Sequence, residues 1–514
     1  MSAKDTMSRR KFLKTASAAT AIAAAGALAT GCAAKGASSG SAGGEAEPSW
    51  THEAEVVVVG LGAAGAAAFA SAAEQGVRVI ALEAADKAGG TTVLSGGLVY
   101  FGGGTAVQSK LNIEDSPENF KAYFSKAVGP SADPELVSIF CEESPDLCGW
   151  CIDHGMVFEG QADTAGHTVE APEGVCLMYS GNERAADFAE IATPAPRAHI
   201  PQGGASAIVN TLIDSTEGDT DILYKTALED LVVDGSGTVT GLKAKGPDGE
   251  IFVKASKGVI LTTGAFTMNE SLVANCRPEA LACRGRTASP YDMGDGMVAA
   301  QKIGAATRSL SRVTVGAHVY MYGALSQGVL VDHRAHRILA EDWYGSFIGR
   351  TILENSLDKC FIILDQATLD EVMTSPFAAG LTNIISAESI EELAASTGLD
   401  ATSLASTIER YNSLCSNGRD VDFGKSEEYL IALGDGPYHA VSVRPQDFAA
   451  FFTLGGLKIN ASSQVIDLDG KPIPGLYAAG RCSCGVFGEY AGSGSSIADA
   501  LTFGRIAGRA SAAS

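Results

Sequence analysis

Cysteine is scarce in this chain. Eleven occur among 514 residues, far too few for a disulfide-stapled scaffold. No Cys-x-x-Cys-His is present, which excludes c-type haem attached to this chain. Cys148 and Cys151 form the lone Cys-x-x-Cys. It falls in an amphipathic pattern (Leu147, Trp150, Cys151, Ile152, Met156) with no thioredoxin-like strand before it, and reads as helix packing. Cys482 and Cys484, in a glycine-rich stretch, read as small loop residues. Positive charge is also short. Lys and Arg number 37 against 60 Asp and Glu, a formal net charge of −23. That balance excludes nucleic acid or an anionic membrane surface as the main partner. No His/Cys/Asp/Glu cluster has metal-ligand spacing. No apolar run is long enough to span a bilayer; the stretch from Ala16 to Ala29 is too short and too weakly apolar.

What is present is a chain that can bury a large core, with 46% hydrophobic residues and a length that suits two domains. Its 60 glycines cluster in pairs and triplets, as loops that let backbone approach a ligand require. Residues 8–14 read Ser-Arg-Arg-Lys-Phe-Leu-Lys before the Ala-rich stretch, the pattern of a twin-arginine export signal over residues 1–32. Ala29-Thr30-Gly31-Cys32 resembles a lipoprotein processing box with Ala in place of the usual Leu. The expectation is an exported protein, periplasmic or at the cell surface; if the box is used, a lipid on Cys32 is its one membrane contact, and cleavage by ordinary signal peptidase is the alternative. Residues 33–51 read as a Gly/Ser/Ala-rich tether.

Glu55 to Val59 predicts a buried strand that runs into Gly60-Leu61-Gly62-Ala63-Ala64-Gly65. A small-residue helix is predicted over 66–74, then a turn at Gln75-Gly76 and a second strand from Val77 to Leu82, ending at Glu83. Gly60 permits the tight turn, Gly62 lets backbone approach a pyrophosphate, and Gly65 lets helix and strand pack closely. The helix N-terminus offers unpaired N–H groups and a positive dipole to phosphate. Glu83 follows about twenty residues later, where a carboxylate accepts from ribose hydroxyls. Strand, glycines, helix, strand and acid together specify a dinucleotide.

Further motifs choose which one. Gly89-Gly90-Thr91-Thr92 and Ser95-Gly96-Gly97 follow Glu83; Thr262-Thr263-Gly264-Ala265-Phe266 closes a later strand. Gly475-Leu476-Tyr477-Ala478-Ala479-Gly480 follows an expected turn at Pro472-Ile473-Pro474, and Ser495-Ser496-Ile497-Ala498-Asp499 starts the last helix. In this set and order the chain resembles the FAD-dependent fumarate reductase/succinate dehydrogenase flavoprotein superfamily. That group includes soluble fumarate and urocanate reductases and the 3-ketosteroid dehydrogenases. The resemblance spans nearly all of residues 52–514. It implies an α/β fold: a Rossmann-type FAD-binding domain (52–315 and 441–514) with an inserted α+β cap, or substrate, domain over 316–440. It implies FAD held non-covalently by Gly60, Gly62, Ala64, Gly65 and Glu83, by Gly90, Thr91, Thr92, Ser95, Gly96 and Gly97, by Ala227 and Gly264, and by Gly480, Arg481, Ser495, Ser496 and Ile497. Only one dinucleotide unit is present, so an external redox protein or quinone-linked carrier is expected to exchange electrons with it, as in anaerobic respiration.

The fumarate reductases hold a dicarboxylate with His and Arg and protonate it with an Arg. Carried over residue by residue, their cap signature appears as Ala335-His336-Arg337-Ile338-Leu339-Ala340-Glu341, and the catalytic Arg position is Gly345. The carboxylate-binding Arg aligns with Ala491, and the His falls at Phe451 or Phe452. Each Arg–carboxylate contact is worth about 1.5–3 kcal/mol, so their joint loss argues against a dicarboxylate. Tyr490-Ala491-Gly492-Ser493-Gly494 instead looks like the Tyr-x-Gly-x-Gly of the ketosteroid 1-dehydrogenases, in which the Tyr hydroxyl and the final Gly N–H bind the substrate ketone. Tyr344 lies near where steroid-active relatives place a catalytic Tyr. The resemblance thus implies Tyr344, Tyr490 and Gly494 as catalytic residues acting on a small molecule, a steroid-like or aromatic enone. His318, His199 and Phe452 are weaker substrate-binding candidates. For His199 a structural role bracing its loop stands equally open, and Tyr179 is a further residue that could face the pocket. Two rivals remain: a respiratory reductase of a small unsaturated acid of the urocanate or cinnamate type, and an electron-relay flavoprotein without an enclosed substrate cavity.

Overall fold

The computed structural model describes residues 48–167, 173–316, 323–355, 358–374, 378, 381 and 383–514. The twin-arginine segment, Cys32 and His318 lie outside the described residues. No described helix is long and apolar enough to cross a membrane.

The core is a largely parallel sheet. His52–Val59 lies at its centre, paired in parallel with Val79–Glu83 on one side and Gly249–Leu261 on the other. Thr220–Tyr224 and Pro472–Ala478 extend the sheet in parallel at either side. Val56 to Val59 are all buried, as a strand covered on both faces demands. The sequence placed a turn at Pro472-Ile473-Pro474. The structure instead makes these residues the start of a strand, at whose outer side only the short Gln464–Ile466 pairs antiparallel. Proline is tolerated there because the first residues of a strand need not donate to the ladder.

The helix after the glycine turn runs Ala63–Ala73, three residues earlier than its small-residue pattern suggested, with Gly62 as N-cap. It crosses the last helix, Ser495–Ala513, at very close range. A Cβ on Gly504 would stand 2.4 Å from the Ala64 carbonyl oxygen, and one on Gly508 would stand 2.5 Å from that of Ala68. The run of alanines and glycines therefore exists for backbone-to-backbone packing rather than for propensity.

A second, antiparallel sheet is built from Val329–Val331, Phe361–Asp365, Tyr438–Ser442 and Ile384–Ala387, in that spatial order. Helices Ile390–Thr397 and Ala401–Ser416 bring Leu393, Leu404, Ile408 and Tyr411 to a separate apolar core on it. Strands and helices together make this region α+β. Beside it lies a buried charge quartet: Arg337 pairs with Glu341 and Asp420 at 2.8 Å each, and Lys425 reaches Glu341 at 3.2 Å. Cys148 and Cys151 lie buried in the helix Pro134–Asp153, where burial pushes the Cys148 thiol up to about 12 and raises Cys151 as well.

Candidate active site

The glycine turn is held by contacts that no larger residue would allow. Gly60 N–H donates to Leu82 O at 2.7 Å, and with φ 99° a Cβ there would lie 2.7 Å from Thr262 O. A Cβ on Gly65 would stand 1.8 Å from Gly60 O, so helix and strand meet only through glycine. The buried Glu83 carboxylate accepts from Leu61 N–H at 2.8 Å and from Ala85 N–H at 2.9 Å. Thr92 Oγ1 accepts from Ala63 N–H at 3.0 Å, which ties the Gly90–Thr92 turn to the first helical residue.

These elements open onto one cavity of about 470 Å³. It runs from Glu83 and Ala227, past Gly60, Gly62 and Ala64, to an apolar end lined by Tyr344, Phe452 and Tyr490. Gly90, Thr91, Thr92, Ser95, Gly96, Gly264, Gly480, Arg481, Ser496 and Ile497 line it as well. Three expected cofactor residues sit behind this wall instead. Gly65 packs on the turn, and Gly97 packs on the Ala205 N–H, 2.5 Å from where its Cβ would be. Ser495 is buried and donates to Gly492 O at 2.6 Å. The cavity fits a dinucleotide: an acid at the ribose end, a glycine turn with a helix N-terminus for the diphosphate, and room for an aromatic ring beyond.

At the far end, Tyr344 Oη and Ser493 Oγ are 2.9 Å apart, although 149 residues separate them. The Tyr344 and Tyr490 rings lie 6.3 Å apart, and Phe452 meets Tyr490 edge-on at 5.3 Å. Tyr490 Oη stands 3.4 Å from Ser496 Oγ. Asn182 Oδ1 accepts from Tyr344 N–H at 2.5 Å and fixes the start of the helix Gly345–Asn355. Gly494 lines the same end, in the left-handed region at φ 90° as N-cap of the last helix. Gly345 lines the cavity where the fumarate reductases carry Arg; Ala491 is buried, and of the two Phe only Phe452 lines the cavity, since alternation along Ala450–Thr453 turns Phe451 into the core.

Two expectations are corrected. His199 does not line the cavity: it is fully buried, with Nε2 2.9 Å from Thr105 Oγ1 and Nδ1 2.8 Å from Arg197 O. Burial lowers its pKa to about 4, so it is a neutral brace. Tyr179 is also away from the cavity, under the Arg184 guanidinium. Two residues were missed. Ser493 sits inside the quoted Tyr-x-Gly-x-Gly segment, and its hydroxyl was the available signal. Asp292, whose Oδ2 meets Arg481 Nη2 at 2.7 Å, had none, because its partner is 189 residues away.

Residues 55–497 match the family described as FAD binding domain. The chain belongs to this FAD-binding family. The flavoprotein takes FAD as its cofactor and is an FAD-dependent oxidoreductase. It is 31% identical over 494 residues to the urocanate reductase of Eggerthella lenta, covering 91% of this chain and 76% of that one. It is 26% identical over 553 residues to the 3-oxosteroid 1-dehydrogenase of Mycolicibacterium smegmatis, covering 88% and 96%. The crystal structure of 3-ketosteroid-Δ4-(5α)-dehydrogenase from Rhodococcus jostii, in complex with 4-androstene-3,17-dione, superimposes with a TM-score of 0.84 at 36% identity, over 90% of this chain and 98% of that one.

Proposed function

We propose that the flavoprotein interconverts a C=C bond conjugated to a ketone and its saturated CH–CH form, on a steroid-like or aromatic substrate. The observation that carries this reading is the hydroxyl cluster of Tyr344, Ser493 and Tyr490 at an apolar cavity end. Among the described lining residues the one cationic side chain is Arg481, and it is already paired with Asp292. Bound FAD supplies the hydride acceptor or donor. Tyr490 Oη donates to the ketone oxygen, and the Gly494 N–H is its second donor, so charge growing on that oxygen is stabilised where it develops. The positive end of the last helix adds to this. Tyr344 Oη takes or delivers the proton at carbon, with Ser493 Oγ, 2.9 Å away, as the next station. Phe452 and Gly345 bring no charge to that end of the cavity.

The test is turnover of purified protein on a panel of 3-ketosteroids, aromatic enones and unsaturated acids. Reduced viologen supplies electrons in one direction and a dye accepts them in the other. Turnover of ketones supports the reading; turnover confined to acids overturns it and selects the urocanate- or cinnamate-type alternative, for which the similarity to a urocanate reductase speaks. Tyr490→Phe should lower kcat/KM on the ketone tenfold or more, the scale of a lost carbonyl donor. A cavity of about 470 Å³ lined by hydroxyl donors speaks against a pure electron relay.

The domain limits 52–315, 316–440 and 441–514 and export by the twin-arginine route belong to the same proposal. Arg9 and Arg10 before the Ala-rich stretch support export. Replacing both by Lys should leave FAD-loaded protein in the cytoplasm, read by fractionation; continued export would refute the route.

A further inference from the structure

We propose that Arg481, presented by Asp292, sets how readily the bound flavin accepts electrons. Arg481 Nη2 meets Asp292 Oδ2 at 2.7 Å, and Thr91 Oγ1 donates to the same oxygen at 3.2 Å. Thr91 is itself held by the Ser289 N–H at 2.9 Å. Both members of the pair are nearly enclosed, with side-chain exposures of 12% for Arg481 and 1% for Asp292. The guanidinium lies 5.0 Å over the Phe452 ring, which in turn meets Tyr490. Arg481, Asp292, Thr91 and Phe452 all line the cavity, between the glycine turn for the diphosphate and the tyrosine end for the substrate. That stretch is where the redox-active ring must lie.

Two electrons and one proton added to a flavin leave one negative charge on the ring. A cation beside that ring favours the reduced form, and an anion opposes it. Two other carboxylates line the cavity: Asp295, at the start of the helix Asp295–Lys302, where burial raises its pKa and so favours its neutral form, and Glu83, at the other end and engaged by Leu61 and Ala85. Asp292 Oδ1 is buried with no hydrogen-bond partner among the described residues, so its charge is satisfied on one oxygen only. The pair is therefore a partly compensated cation: Arg481 pulls the equilibrium toward reduction and Asp292 holds it back. This inference concerns the cofactor and does not depend on which substrate is used.

Opposite responses from the two partners test it. FAD content is read from flavin absorbance, and the reduction equilibrium is measured without substrate, with xanthine and xanthine oxidase as electron source and a reference dye of known potential. Asp292→Asn should shift the reduced-to-oxidised ratio at fixed potential at least tenfold toward reduced, about 30 mV for a two-electron couple. Arg481→Gln should shift it at least tenfold toward oxidised, and Arg481→Lys should stay near the parent. A pair that merely shaped the wall would move both variants the same way, or neither; either result overturns the proposal. Should Arg481→Gln fail to retain FAD, Asp292→Asn decides alone: a shift toward oxidised, or one under threefold, ends the case.

Discussion

Asp499, one turn into the last helix, is a carboxyl group that its surroundings keep protonated near neutrality. It borders a small internal cavity with Arg481, Cys484 and Phe487, and burial raises its pKa to about 7. Unfolded, the same carboxyl titrates near ~3.9. The folded protein therefore holds the extra proton between those values, and stability falls as pH rises across that window. Above pH 7 the cost is about 4 kcal/mol, at 1.36 kcal/mol per pKa unit. Asp499→Asn should accordingly raise Tm over the parent at pH 8 and lose that advantage toward pH 4. An advantage that grows on acidification would contradict the assignment. His199 has the opposite sign. Its pKa is lowered to about 4, so its contribution is lost as pH falls from about 6.5 toward 4.

At the scale of elements, Glu489 joins three pieces of chain beside the tyrosine end. Its carboxylate meets Arg312 at 2.9 Å, just before the strand Val313–Gly316, and Arg350 at 2.9 Å, on the helix Gly345–Asn355 that begins after Tyr344. Glu489 adjoins Tyr490 and Arg350 lies on the helix that follows Tyr344, so this double ion pair ties together the two segments that carry the tyrosines. The pairs are part-exposed and worth only about 1 kcal/mol to stability. Glu489→Gln should thus lower kcat several-fold while moving the denaturation midpoint little. A large stability loss with unchanged kcat would assign Glu489 to folding alone. The charge quartet in the α+β region behaves differently, because it is buried. Glu341→Gln leaves Arg337 and Lys425 short of a counter-charge and should cost about 3–5 kcal/mol in urea unfolding.

For the whole molecule the cavity is a shared wall. Its lining is drawn from the Gly60 turn, the Thr91 turn, Ala227, Thr262–Gly264, Asp292, Tyr344, Phe452 and the 480–497 segment. A ligand that binds only when all of these are in place stabilises the whole body, by about 4 kcal/mol at a thousandfold excess over Kd. Removing FAD should lower Tm by several degrees, and adding it back should restore the value. Equal Tm for stripped and loaded protein would mean that the walls stand without the cofactor. Gly65→Ala reaches the same scale from inside: its Cβ cannot coexist with Gly60 O, so loss of both FAD content and soluble yield is expected.

The amino-acid order by itself determined the dinucleotide unit. Buried valines, the three-glycine turn, an alanine helix and Glu83 interact within some thirty residues, so local spacing carries the chemistry. It also carried the end of a later strand at Thr262-Thr263-Gly264, observed as Gly249–Leu261, and the helix start at Ser495. What only the tertiary structure decided are contacts across long stretches of chain: Tyr344 with Ser493, Asp292 with Arg481, His199 with Thr105, Glu489 with two arginines. No periodicity marks such pairs, because each residue alone looks like an ordinary polar side chain. Whether a hydroxyl faces a cavity or a carbonyl, and whether an acid keeps its proton, depends on which distant element packs beside it and how much water that packing removes.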